Sequence, residues 1–159
     1  MLKVGIIFPM DEEIDAIRKY LTIEKEYNIF ELTFYEGTIS GVHCVLVKCG
    51  IGKVNAALCA QILISEFNVD AIVNTGVAGA LHDELDVYDI VISTDAIQHD
   101  FDTTVFGDKK GMIPRMDNSI FVADEKLINA AYESSKEEVK THKVVKGRVL
   151  SGDIFISSK

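Results

Sequence analysis

The chain has 159 residues and a formal net charge of −9, and 48% of its residues are hydrophobic. That length supports one domain with a real core, and that apolar content excludes a disordered chain. The acidic balance argues against a nucleic-acid binder, which needs a basic face. The three cysteines, Cys44, Cys49 and Cys59, form no C-x-x-C pair. They lie in apolar stretches and read as buried free thiols in a reducing compartment. The apolar run at the N-terminus is too short for a signal peptide or a membrane span. The expected location is therefore the cytoplasm, with no membrane partner.

Taken in chain order, Val4 to Phe8 is a short apolar run closed by Pro9, which fits a buried strand. Asp11 to Leu21 follows as a helix, with Ile14, Ile17 and Leu21 at helical spacing. Asp11, Glu12, Glu13 and Asp15 crowd its first turn, where the helix dipole favours negative charge. Ile29 to Tyr35 and Val42 to Lys48 read as strands paired around the turn Ser40-Gly41. Val54 to Phe67 reads as a helix with almost no polar face, so one side should lie on the sheet and the other on a second subunit. Ala71 to Val73 and Val87 to Ile92 are expected strands, and Gln98 to Arg115 a long polar loop with some extended structure. Asp124 is a good N-cap for a helix through Val139, with Leu127, Ile128, Ala131, Ser135 and Val139 on one stripe. Val144 to Leu150 is the last expected strand. Strands alternating with helices predict an α/β fold with a largely parallel sheet.

Three glycine-bearing turns follow apolar runs: Gly50-Ile51-Gly52-Lys53, Asn74-Thr75-Gly76-Val77-Ala78-Gly79 and Ser151-Gly152-Asp153-Ile154-Phe155-Ile156. A fourth, acidic turn runs from Phe8 to Glu13. In open α/β sheets ligands bind where strands end and bare backbone comes close, so the four turns predict one small-molecule pocket. Gly50 to Lys53 is neither a P-loop, since Val54 replaces the Ser or Thr, nor a dinucleotide fingerprint, since the third glycine is absent. By itself each turn is also explained by tight connection or positive φ. Glu12 and Glu13 are likewise explained by the helix dipole, unless one of them is a general base acting on water. His99-Asp100-x-Asp102 lacks a second cluster and reads as a hydrogen-bonded loop, so no metal site is assigned.

In order along the chain stand Gly5-Ile6-Ile7-x-x-Met10-x-Glu12-Glu13, Gly50-Ile51-Gly52-Lys53-Val54-x-Ala56-Ala57, Asn74-Thr75-Gly76-x-Ala78-Gly79, His99-Asp100-x-Asp102-x-Thr104-x-Phe106-Gly107 and Ser151-Gly152-Asp153-x-Phe155-Ile156. This series, spanning essentially the whole chain, resembles the 5′-methylthioadenosine/S-adenosylhomocysteine nucleosidases of the purine nucleoside phosphorylase-like superfamily. The resemblance implies a three-layer α/β sandwich with a mixed, largely parallel central sheet. It implies hydrolysis of the N-glycosidic bond of methylthioadenosine and adenosylhomocysteine to adenine and a thioribose sugar, with no metal, no organic cofactor and a homodimer. It makes Glu13 the water-activating carboxylate. Met10, Ile51, Gly52, Val77, Ala78 and Gly79 correspond to substrate-binding wall positions, Phe106 to a residue near the 5′-thio group, Phe155 to the ring stacked on adenine, and Ile156 to the backbone that bonds the adenine edge. Val77 departs from the pattern, since a small hydroxyl residue often stands there.

The family pattern continues past the Phe-Ile motif into a Met-Glu segment for the ribose hydroxyls and a Ser-Asp-x-x-Asp segment for the purine acid. Residues 1–159 contain neither, and Asp153 is no replacement. The expectation is a single nucleosidase domain lacking the family's C-terminal part, inactive as this segment alone and either aggregating or dependent on dimer contacts. The alternatives are a related nucleoside hydrolase or phosphorylase with another substrate, and a non-catalytic nucleoside-binding module. A phosphate beside Asp11-Glu12-Glu13 would meet like charge, which disfavours the phosphorylase.

Overall fold

The computed structural model describes residues 2–157. Its elements are β1 (Lys3–Phe8), α1 (Asp11–Arg18), β2 (Thr22–Ile29), β3 (Leu32–Ile39), β4 (Val42–Lys48), α2 (Lys53–Ser65), β5 (Ala71–Asn74), β6 (Ile90–Gln98), β7 (Phe121–Val122), α3 (Glu125–Glu138) and β8 (Val144–Ser151), with a 3₁₀ turn at Thr104–Phe106. They form two compact units, the first ending at Ala78 and the second starting at Gly79.

The first unit is a three-layer sandwich around a five-stranded sheet of order β2-β3-β4-β1-β5. β1 runs parallel to both β4 and β5, and β2, β3 and β4 form an antiparallel meander, so the sheet is mixed. Strands covered on both faces read as continuous apolar runs, and β4 shows why. Val45 and Val47 join Ile7, Phe34, Cys59, Ile62, Leu63 and Phe67 in a core that includes α2. Cys44 and Leu46 join Phe8, Ile14 and Leu21 in a core that includes α1. Phe67, just beyond α2, stacks on Phe34 at 5.0 Å and meets Tyr27 edge-on at 5.1 Å, geometries that ring quadrupoles favour.

The second unit holds a three-stranded sheet of order β7-β6-β8, with β6 parallel to β8 and antiparallel to β7. Asp124 caps α3 by accepting hydrogen bonds from the N–H groups of Lys126 and Leu127. The Asp89 carboxylate accepts from Asp86 N–H and Lys143 N–H, which joins the entries of β6 and β8. Those backbone donors hold its carboxyl below the usual range, because they stabilise the charged form.

Several boundaries differ from the sequence reading. Ile29 to Tyr35 is not one strand. The chain reverses at Phe30 and Glu31, whose φ angles of 50° and 62° make a hairpin turn without glycine, and a whole strand, β2, precedes it. α1 stops at Arg18, and Leu21 is buried beyond its end after two tight backbone turns. Val87 and Tyr88 lie outside any strand and are exposed, since Tyr88 takes a positive φ and the Asp86–Asp89 turn precedes β6. The strand instead runs on to Gln98, where the sequence predicts the start of a loop. On the α3 stripe, Leu127, Ile128, Ser135 and Val139 are half-buried, but Ala131 is exposed.

Gly5 on β1 faces α2, and a Cβ there would meet Leu63 Cδ1 at 2.8 Å. Leu63 is completely buried. Leu63→Ala should therefore cost about 2–5 kcal/mol and Gly5→Ala roughly 1–3 kcal/mol. The double variant should lose less than the sum in urea unfolding, because alanine at 63 makes room for the new methyl. Additive losses would refute this packing.

Candidate functional site

The parallel pairing of β1, β4 and β5 places three strand ends on one edge of the first sheet. Phe8 is paired with Lys48 and Ile7 with Asn74. Beyond the ends, Cys49 N–H donates to the Phe8 carbonyl at 2.9 Å and Thr75 N–H to the Ile7 carbonyl at 3.2 Å. The acidic turn, the Gly50–Lys53 turn and the Asn74–Gly79 turn therefore emerge side by side. Gly52 caps α2 with a φ of 108°, a conformation that side chains disfavour.

Glu13 connects two of these turns. Its Oε2 accepts from Met10 N–H at 3.0 Å, the back-bond of a residue in the third position of a helix, which satisfies one free donor of α1. Its Oε1 accepts from Val77 N–H at 2.9 Å, across 64 residues of sequence. Helix capping accounts for the first bond and not for the second. Each oxygen thus has one fixed backbone donor, and the remaining lone pairs can accept a proton or hold water. Glu13 is partly buried, whereas Asp11 and Glu12 on the same turn are exposed.

A cleft of about 340 Å³ opens beside this edge, lined by Pro9, Met10, Asp11, Glu12, Lys48, Gly50 and Ile51. Two expected wall residues, Met10 and Ile51, thus share one cleft. Lys48 Nζ pairs with Asp11 at 2.7 Å, and that carboxylate raises the lysine pKa. Val77 reaches the site through its main chain, while its side chain is 81% exposed. Ala78 ends the first unit and Gly79 opens the second, both exposed. Sequence reading missed Pro9 and Lys48 as lining residues, and it sought the contribution of residue 77 in a side chain. The position of Lys48 at the end of an apolar run was the available signal.

The second unit has its own pair of parallel strand ends, those of β6 and β8. His99 N–H donates to the Ser151 carbonyl at 3.0 Å, and Asp153 N–H to Asp100 Oδ2 at 2.8 Å. A side chain at 152 would collide with the His99 ring and Asp100, so Gly152 is required by space. Asp102 Oδ1 accepts from Thr104 N–H and Oγ1–H, at 3.0 and 2.7 Å. These bonds lower the Asp102 carboxyl pKa. Among the described residues no group of three or more His, Cys, Asp or Glu is arranged to hold a metal. Phe106 and Phe155 are 83% and 91% exposed, and Ile156 is exposed too.

Residues 3–159 match the family model described as Phosphorylase superfamily. A curated 5′-methylthioadenosine/S-adenosylhomocysteine nucleosidase of Halalkalibacterium halodurans is 45% identical over 157 residues, covering 99% of this chain and 67% of the relative. The crystal structure of such a nucleosidase from Colwellia psychrerythraea in complex with adenine is 37% identical, with a TM-score of 0.93 over 99% of this chain and 65% of that one. A structure of a futalosine hydrolase mutant of Helicobacter pylori is 29% identical, with a TM-score of 0.90 over 100% of this chain and 71% of that one. The chain spans about two thirds of the length of the curated relatives it matches.

All three cysteines are buried free thiols. Burial raises the pKa of each, and Cys59, with Cys49 nearby, is pushed up to about 11. Since the thiolate is the reactive form, the folded protein at pH 8 should leave a disulfide reagent such as Ellman's unconsumed, and unfolding should release all three thiols. Rapid reaction of any one in the folded state would contradict this.

Proposed function

The chain belongs to the phosphorylase superfamily and, within it, to the 5′-methylthioadenosine/S-adenosylhomocysteine nucleosidases, and we propose that the whole protein hydrolyses the N-glycosidic bond of these two nucleosides. The products are adenine and a thioribose sugar. The bond from Val77 N–H to Glu13 Oε1 carries this reading. It singles out one carboxylate of an acidic turn and holds it at the edge where three strand ends meet.

Cleavage of an N-ribosyl bond develops oxocarbenium character on the sugar, as in glycoside hydrolysis. Glu13 orients a water and takes its proton as the water attacks the anomeric carbon. Met10, Ile51, Gly52, Val77, Ala78 and Gly79 form the wall on the sugar side. Phe106 lies near the 5′-thio group, Phe155 stacks on adenine, and the Ile156 main chain bonds its edge. The reaction needs no metal or organic cofactor. Residues 1–159 belong to one nucleosidase domain, and the protein works in the cytoplasm. In the whole protein, Glu13→Gln should lower kcat for adenine release by about 10²–10⁴-fold, the usual worth of a general base. A rate within a few-fold of the parent would remove Glu13 from the role, and a phosphate-dependent rate would replace hydrolysis with phosphorolysis.

The likeness to the futalosine hydrolase favours one second reading, hydrolysis of a different nucleoside at the same site. Parallel assays with methylthioadenosine and futalosine separate the two.

The protein is a homodimer through α2. That helix buries Cys59, Ile62 and Leu63 on one side and exposes Val54, Leu58 and Ile64. A helix apolar all round needs cover on both sides. Leu58→Lys combined with Ile64→Glu should convert the dimer to monomer in analytical ultracentrifugation, and a dimer that survives both charges would place the interface elsewhere.

A further inference from the structure

Glu13 has a neighbour whose identity the family resemblance does not explain. A Cβ on Gly76 would lie 2.7 Å from Glu13 Oε1, 3.2 Å from its Cδ and 3.4 Å from Oε2. All three nearest atoms belong to one carboxylate. Gly76 is not among the glycines with positive φ, so it does not take the left-handed conformation that favours glycine. Positive φ, the usual reason for glycine in a turn, is therefore missing, and the space beside the carboxylate is the reason that the structure shows.

We propose that Gly76 is a positioning residue for Glu13, its bare α-carbon leaving the space that the carboxylate occupies beside the end of β5 as it receives the Val77 N–H. The inference rests on Glu13 acting on water, as proposed above. Each oxygen is held by one backbone donor. Met10 N–H fixes Oε2 from the head of α1, and Val77 N–H fixes Oε1 from the turn after β5. A methyl group at 76 acts first on Oε1, the closest atom, and so acts on the bond that capping does not require. To clear it the carboxylate must rotate or withdraw toward Met10. The nearest atoms to the new methyl are those of the base, so the change falls on it first. It should therefore appear in kcat and not in KM, because an interaction used in the transition state alone is lost.

The test uses the whole protein. Gly76→Ala should lower kcat roughly 10²-fold, the scale of a displacement near 1 Å, with KM within about twofold of the parent. Glu13→Gln should then cost much less in the Gly76→Ala background than in the parent, since both changes disable one device. A second measurement is independent of turnover. The amide proton of Val77, followed by NMR, should move in Gly76→Ala in the same direction as in Glu13→Ala. If the Gly76→Ala protein is destabilised, that loss should vanish in the Glu13→Ala background, the double variant matching Glu13→Ala alone in its thermal transition, because the carboxylate nearest the methyl is then gone. Unchanged kcat with a parent-like Val77 amide would overturn the proposal, as would a Gly76→Ala destabilisation that persists in full in the Glu13→Ala background. Parent protein that releases no adenine would sink the nucleosidase reading and leave the positioning role to the amide shift and the thermal comparison.

Discussion

The site depends on β1 lying between two parallel neighbours. A parallel pair aligns the ends of its strands, whereas a hairpin places successive ends on opposite edges. With β4 on one side of β1 and β5 on the other, the residues after Phe8, Lys48 and Asn74 have to share an edge. Antiparallel pairing of either neighbour would carry its glycine turn to the far edge and leave Glu13 without Val77. The cores on the two faces of the sheet enforce this arrangement, since β4 alternates its side chains between the α2 side and the α1 side and a slip of one residue would exchange the two sets.

Within that frame, one carboxylate meets two demands. α1 begins with no side-chain cap from Met10, so its free N–H groups need another acceptor, and Glu13 supplies one. Served by capping alone, Glu13 would be an ordinary third-position glutamate. The bond from Val77 turns the same side chain into a link between the head of α1 and the end of β5. The Met10 N–H at the head of α1 and the Val77 N–H of the turn each hold one oxygen, so the placement a general base needs is built from backbone donors.

The sequence exposed the elements whose burial is simple. β1 and β4 announce themselves as apolar runs because both faces are covered, and Asp124 marks the start of α3 because it caps it. β2 was hidden for the opposite reason. Its residues Glu24, Lys25 and Glu26 are exposed on an edge strand, where charge protects against stray pairing and erases the alternation that marks a strand. The turn between β2 and β3 uses Phe30 and Glu31 at positive φ, residue types that give no turn signal. The start of β6 was misplaced because Val87 and Tyr88 look like strand residues while the Asp86–Asp89 turn keeps them outside. At the site, Glu13, Met10 and Ile51 were legible from motif and spacing. The reason for Gly76 was not, because it lies in an atom of a side chain far away in sequence, and single-sequence periodicity carries no information about such a pair.

The division of labour between main chain and side chain also bears on Val77. A hydroxyl residue there could offer one more hydrogen bond, and valine withdraws that offer. The donor that Glu13 uses, however, is the peptide N–H, which every residue except proline possesses. The valine side chain points away into solvent and constrains nothing at the carboxylate. Position 77 can therefore vary in side chain while the base keeps its geometry, whereas position 76 has no such freedom. Tolerance and intolerance to substitution are adjacent in this turn, and what separates them is whether the atom that varies faces the Glu13 carboxylate.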